Sequence, residues 1–265
     1  MDILHTLFLA IVQGLTEFLP ISSSGHLVLV PRILGWPDQG LAFDVAVHLG
    51  TLIAVVTYFR HELISMTRGW FASVLGGVAT PDSRLAWAVI WGTVPVAIAG
   101  FLAADTIEQY LRSPMLVAST TAGFGILLWL ADARGSRERD EFSLSWADVM
   151  IVGMIQVLAL VPGTSRSGIT MTAGLLLGLS RAGSARFSFL LSVPVIVAAA
   201  VFETVKLAKD PLPADWMSLS AGVLASALVA YLTIGWFLSF LGRFGMMPFA
   251  VYRVLLALFI VVIFI

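Results

Sequence analysis

Two short stretches carry nearly all of the residues in this chain that can do chemistry at depth in an apolar environment. The first is Gln13-Gly14-Leu15-Thr16-Glu17-Phe18-Leu19-Pro20-Ile21-Ser22-Ser23-Ser24-Gly25-His26, and the second is Pro162-Gly163-Thr164-Ser165-Arg166-Ser167-Gly168-Ile169-Thr170. Gln13 and Glu17 lie four apart and so share a helix face. Ser23 and His26 lie within one turn, a spacing that suits a hydroxyl nucleophile and an acid/base partner. Ser22-Ser23-Ser24-Gly25 precedes a helix start, where one serine can cap while free amides point at an anion. In the second stretch Arg166 stands between Ser165 and Ser167, again before a helix. Guanidinium binds phosphate bidentately. Arg166, Ser165, Ser167, the amides of Ser24, Gly25 and Gly168, and Thr170 one turn further on read as a phosphate or pyrophosphate clamp. Glu17 is positioned to hold a divalent cation, Mg²⁺ or Ca²⁺, that bridges phosphates, or to act as a base. A blander reading gives Glu17 a structural pairing with Arg166 and the small residues a role in close helix packing. Close packing accounts for the glycines and one or two serines but not for Glu17 and His26 beside them.

These polar clusters sit in a chain of 265 residues that is 59% hydrophobic and 12% charged, with a mean hydropathy of +0.97. Soluble domains carry about 25% charged residues, so the composition is that of a polytopic membrane protein forming one integral membrane domain. A net charge of −1 offers no basic surface for nucleic acid. The absence of cysteine excludes disulfides, iron–sulfur clusters and thiol nucleophiles. No signal-peptide pattern precedes the apolar sequence, and no P-loop lysine pattern points to nucleotide hydrolysis.

Both clusters interrupt short apolar segments. Residues 3–16 and 25–34 are each too short for a crossing, which needs about 20 residues, and Pro20 with the serines separates them. Two half-length helices around a polar tip describe a re-entrant hairpin, tolerated at membrane depth where it is buried in protein or lines a wet cavity. Spans follow at 41–59, at 85–104 (interrupted by Gly92 and Pro95) and at 115–131, joined by loops at about 60–84 and 105–114 and followed by a charged loop at 132–145. The layout then repeats: short segments at 146–161 and 169–179, and spans at 185–205, 217–240 and 248–265. Gly25 and Gly168 are 143 positions apart (168 − 25). The reading is an all-α fold of six transmembrane helices plus two re-entrant helical hairpins, with pseudo-repeats of about 1–131 and 146–265. Three crossings per half place the halves in opposite orientations, and interrupted segments in matching positions point to the site. With residue 1 outside, the inner loops hold Arg60, Arg68, Arg84, Arg134, Arg137, Arg139, Arg181, Arg186 and Arg243. The outer loops hold Arg32, Arg112, Lys206 and Lys209. That bias follows the positive-inside rule and opens the first hairpin outward.

The first stretch resembles the first signature of the undecaprenyl-diphosphatase family, the bacitracin-resistance proteins, and the second is similar to its second signature. Phe43-Asp44-Val45-Ala46-Val47-His48-Leu49-Gly50-Thr51, Phe187-Ser188-Phe189-Leu190 with Pro194, and Pro248-Phe249-Ala250-Val251-Tyr252-Arg253 match as well, so the resemblance covers essentially the whole chain. It departs at Gln13, where the family often has Glu. An indispensable carboxylate at that position is therefore disfavoured, and the weight falls on Glu17. The resemblance implies hydrolysis of undecaprenyl diphosphate to undecaprenyl phosphate and inorganic phosphate, dependence on a divalent cation, and a multi-pass protein of the bacterial plasma membrane with its site facing outward. It implies recycling of the lipid carrier of peptidoglycan synthesis and resistance to bacitracin. On this reading Ser23 is the nucleophile, His26 its acid/base partner, and Arg166, Ser165 and the Ser24 and Gly25 amides hold the phosphates. Direct attack by water, with Ser23 only a phosphate ligand, fits equally well. A transporter or flippase of polyprenyl phosphate lipid is the alternative, since inverted repeats with broken helices are also a carrier architecture. The sequence leaves the roles of Asp44, His48, Glu203 and Arg253 unassigned, and a homodimer is a candidate assembly. Replacing Arg166 by alanine is expected to cut phosphate release from a short prenyl diphosphate by roughly 100-fold or more while leaving the protein folded; activity within a few-fold of wild type would rule out the clamp.

Overall fold

A computed structural model describes residues 2–111, 113–209 and 215–264; for 104–110, 206 and 208–209 it describes the backbone only. Arg112 of the charge-bias argument lies outside the described residues, as do the side chains of Lys206 and Lys209. The half-length helices form where the apolar runs predict them. α1 (Ile3–Thr16) starts at an Asp2 cap, and α2 (Ser23–Leu34) ends at Gly35 with φ 68°. α3 (Leu41–Tyr58) follows.

The stretch expected to be a loop after α3 is instead largely a helix, α4 (Arg60–Val74). Leu63, Met66 and Trp70 recur at helical spacing and pack on the core beneath a charged face. α5 (Pro81–Tyr110) runs unbroken through Gly92 and Pro95 and takes in most of the expected loop after residue 104. α6 (Pro114–Arg134) completes the first half. The charged loop that follows is pinned by Arg181 on Asp132 (2.6 Å) and Arg139 on Asp148 (2.7 Å).

In the second half, α7 (Trp146–Gln156) opens with a Ser145–Asp148 capping box and ends in a 3-10 turn over Val157–Leu160. α8 (Arg166–Leu176) starts at Ser165. The long helices α9 (Arg181–Lys209), α10 (Trp216–Phe244) and α11 (Met247–Phe264) follow. Among the described residues six helices (α3, α5, α6, α9, α10 and α11) are long and apolar enough to cross a membrane. The protein is an all-α, multi-pass membrane protein.

The main packing partners of the long helices come in matched pairs, although α8 packs on α6 and α9 without a comparable contact for α2. Exchanging α1, α2, α3, α5 and α6 with α7, α8, α9, α10 and α11 maps the α1–α10 contact onto α7–α5, α3–α10 onto α9–α5, and α1–α2 onto α7–α8. The α3–α9 and α6–α11 contacts map onto themselves. Phe189 of α9 sits at the centre of an aromatic group, against Phe18, Phe237 and Phe59, the last just beyond the end of α3. Close approach of the long helices relies on small residues, as membrane helix packing does. A side chain at Gly50 would run into Ser226 Oγ and Val223 O of α10, and one at Gly14 would come within 2.8 Å of Ser226 O. Gly50→Leu is expected to lower stability in detergent by about 1–3 kcal/mol, read by thermal or denaturant unfolding. Gly123→Ala, where an added methyl meets nothing within 4 Å, should leave the melt unchanged.

Candidate active site

The two polar stretches meet between α1–α2 and α7–α8, and Glu17 is their common point. Its carboxylate is buried. Oε1 accepts from Arg166 Nη2 at 3.0 Å, and Oε2 accepts from Ser23 Oγ at 2.6 Å and from Gln13 Nε2 at 3.0 Å. Four-residue spacing on α1 brings Gln13 beneath Glu17. Arg166 also donates to Ser188 O at 3.1 Å, which fixes the plane of its fork. A carboxylate that accepts a serine hydroxyl on one oxygen and a guanidinium on the other has the geometry to act as a base toward Ser23, and it links the two hairpins. His48, left unassigned by the sequence, joins the cluster from α3. Its Nδ1 donates to Asp44 O at 2.7 Å, and its Nε2 lies 3.7 Å from Glu17 Oε2.

Backbone strain sits at both tips. Ser22 and Ser165 have φ of 71° and 70°, a region that non-glycine residues seldom occupy and that clusters at functional sites. Ser165 Oγ accepts from Gly168 N and so caps α8, whereas no side chain caps α2. The expectation that a serine caps the first helix is therefore corrected: the first-turn amides of α2, beside Ser23, Ser24 and Gly25, lack that partner and form an anion-ready end. Ser24 is exposed and Ser23 partly so.

Other expected roles are redirected. His26 does not bond to Ser23. Its Nδ1 donates to Ser22 O at 2.8 Å and its Nε2 meets Tyr252 Oη at 2.6 Å, because one turn of helix carries the ring back over the Ser22 carbonyl. The second-tip hydroxyls are engaged inside the protein: Ser167 Oγ donates to Leu19 O at 2.9 Å, and Thr170 Oγ1 donates to Arg166 O at 2.9 Å and pairs with Ser188 Oγ at 2.7 Å. Gly168 N is taken by Ser165. Buried hydroxyls must find partners, so these residues shape the tip, and Arg166 is the group of the second stretch that reaches Glu17.

Arg253 of α11 is fully buried. Its donors reach Pro20 O (3.2 Å) in the first tip, Gly163 O and Thr164 O (both 2.9 Å) in the second, and Thr121 O (2.9 Å) and Thr120 O (3.4 Å) on α6. Among the described residues no carboxylate pairs with it; five carbonyl oxygens surround it instead. Gly168 keeps the room for this, since a Cβ there would lie 2.8 Å from Arg253 Nη1. The sequence held the signal, an arginine in an apolar span, without the partners that give it meaning. The repeat is also deeper than the glycines suggest. The offset of 143 relates Gln13 to Gln156, Ser22 to Ser165 and Ser24 to Ser167, and both glutamines are fully buried.

The model of the family "Bacitracin resistance protein BacA" matches residues 6–259 of this chain. The chain belongs to the BacA family. Curated relatives in this family include "Undecaprenyl-diphosphatase 2" of Stutzerimonas stutzeri (strain A1501), 57% identical over all of this chain and 99% of that protein. "Undecaprenyl-diphosphatase" of Nitrosococcus oceani is 56% identical over 97% of each. The protein of the same name from Thioalkalivibrio sulfidiphilus is 52% identical over the full length of both. In this BacA protein Arg253→Met strips donors from five buried carbonyls and should cost about 3 kcal/mol or more. Arg253→Lys should recover only part of that, because an ammonium cannot span the separated acceptors of a guanidinium. Unfolding in detergent measures both.

Proposed function

We propose that the protein is a membrane-embedded phosphatase that hydrolyses undecaprenyl diphosphate to undecaprenyl phosphate and inorganic phosphate. In this role it recycles the lipid carrier for peptidoglycan synthesis and confers bacitracin resistance. Family membership and the names of relatives at 52–57% identity support the reaction. The observation that carries the reading to specific residues is the 2.6 Å contact from Ser23 Oγ to Glu17 Oε2, with Arg166 on the other oxygen. A lipid carrier needs a phosphate clamp; it has no need of a serine hydroxyl set on a carboxylate.

Glu17 takes the proton of Ser23 as Oγ attacks the terminal phosphorus. The bond from that phosphorus to the bridging oxygen breaks, and undecaprenyl phosphate leaves with the proton that Glu17 took, which returns Glu17 to its carboxylate form. Water, deprotonated by Glu17, then attacks the phosphoserine, inorganic phosphate leaves and Ser23 regains its proton. Arg166 and the uncapped first turn of α2 offer preorganised donors to the transferring phosphoryl group. The prenyl tail lies along apolar helices. The site opens to the outer face of the bacterial plasma membrane, a reading supported by the excess of inner-loop arginines.

A divalent cation, Mg²⁺ or Ca²⁺, suits the residues present. Gln13 is fully buried and its Oε1 has no hydrogen-bond partner, so an acceptor stands ready beside the Glu17 carboxylate. Among the described residues no cluster of three or more His, Asp or Glu forms a closed cage. That fits a cation held by one carboxylate and an amide oxygen and completed by substrate phosphates. When bound it would neutralise charge on those phosphates.

Glu17→Gln should lower kcat by roughly 1,000-fold while Ser23 stays in place. Brief incubation with a radiolabelled prenyl diphosphate should leave label on Ser23 in the wild type and none in Ser23→Ala. Phosphate release without any label on Ser23 in a single turnover would replace the covalent step by direct attack of water.

A further inference from the structure

α11 presents two consecutive polar residues to the first tip. Arg253 takes the Pro20 carbonyl. Tyr252 reaches His26, with Oη 2.6 Å from Nε2 and the two rings nearly parallel, 10° apart with centroids at 5.8 Å. The partner of the other ring nitrogen settles where the proton sits. Ser22 O is a carbonyl with no hydrogen to give, so Nδ1 carries the proton and donates it across 2.8 Å. In the neutral ring Nε2 is then an acceptor, and the Tyr252 hydroxyl donates to it. A histidine tautomer is selected by the hydrogen bond its other nitrogen makes, and here tyrosine makes that bond.

The tautomer matters because of what Nδ1 holds. Ser22 has φ 71° and no side-chain cap follows it, so little else fixes its peptide. Its carbonyl takes both the His26 backbone N–H (3.3 Å) and the ring Nδ1–H. The next residue is Ser23, whose Oγ must stay on Glu17. We propose that Tyr252 is a positioning residue for the reaction at Ser23: it acts through His26 to lock the Ser22 carbonyl and hence the direction of the Ser23 hydroxyl. This rests on the phosphatase reading with Ser23 as the reacting hydroxyl. It also gives His26 a task that its missing contact with Ser23 otherwise leaves without content.

Tyr252→Phe removes only the hydroxyl and keeps the ring against His26. Phosphate release from farnesyl diphosphate in detergent, measured with Tyr252→Phe, His26→Gln and the double variant, tests the chain of contacts. The expected result is a fall in kcat of about tenfold for Tyr252→Phe with KM within about twofold, the lower end of the scale seen when the hydrogen-bonded partner of a metal-ligating histidine is removed. The double variant should be no slower than His26→Gln alone. A Tyr252→Phe kcat within twofold of wild type, or losses that multiply in the double variant, overturns the proposal. A second readout is independent of activity. In ¹⁵N-histidine spectra the His26 resonance should report Nδ1–H in the wild type and a redistributed tautomer in Tyr252→Phe; an unchanged tautomer also overturns it. If the wild type releases no phosphate at all, the phosphatase reading fails, while the spectra still decide whether Tyr252 controls His26.

Discussion

A carboxylate and a guanidinium, both largely closed off from solvent, meet at 3.0 Å between two loops that interrupt half-length helices. Either charge alone at that depth is expensive; insertion scales put it at about 2.5–3.5 kcal/mol. Together they neutralise each other and leave the carboxylate with a second oxygen for Ser23. The two hairpins are therefore interdependent. The first carries Ser23 and the carboxylate it bonds to but no fixed positive charge, and the second supplies that charge from the position that Ser23 occupies in the repeat (Arg166, 143 residues on). One duplicated framework of glutamine, serine and glycine holds two different chemistries, and each is incomplete without the other.

Much of this was legible in the sequence. Hydrophobic length gave the six spans, and broken segments with polar tips gave the hairpins and their meeting. Two kinds of feature were not legible. The first is helix continuity where polarity suggested loops. Arg60–Val74 is close to neutral on average, far less apolar than the spans, yet Leu63, Met66 and Trp70 form a stripe narrow enough to be hidden in a count of charges. The second is the partner of each polar atom. Spacing placed His26 one turn from Ser23, but a ring on a helix can equally fold back on the carbonyl four residues earlier, and it does. His48 comes from a helix distant in sequence from the serines; local spacing could not bring it to Glu17. The hydroxyls of Ser167 and Thr170 follow the same logic: residue type announced a phosphate ligand, and burial turned both groups to internal acceptors.

Gln13 illustrates how a departure from a family pattern reads in three dimensions. An amide there keeps a donor on Glu17 and adds no second negative charge to a pocket that already balances one carboxylate against one guanidinium. Its symmetry mate Gln156 donates to Gly92 O in the opposite half. The amide is thus also the residue the framework uses where no chemistry is performed.

The position of Arg253 in the chain has a consequence for biogenesis. It sits in α11, and among the described residues its guanidinium bonds to backbone of both tips. While the preceding helices are being made and inserted, Pro20, Gly163 and Thr164 have carbonyls aimed at an absent partner. When α11 docks beside α6, its guanidinium adds a backbone tie between two loops already joined by Glu17–Arg166 and Ser167–Leu19. α11 is therefore the keystone of a structure whose Glu17, Ser23 and Arg166 all lie in segments made before it.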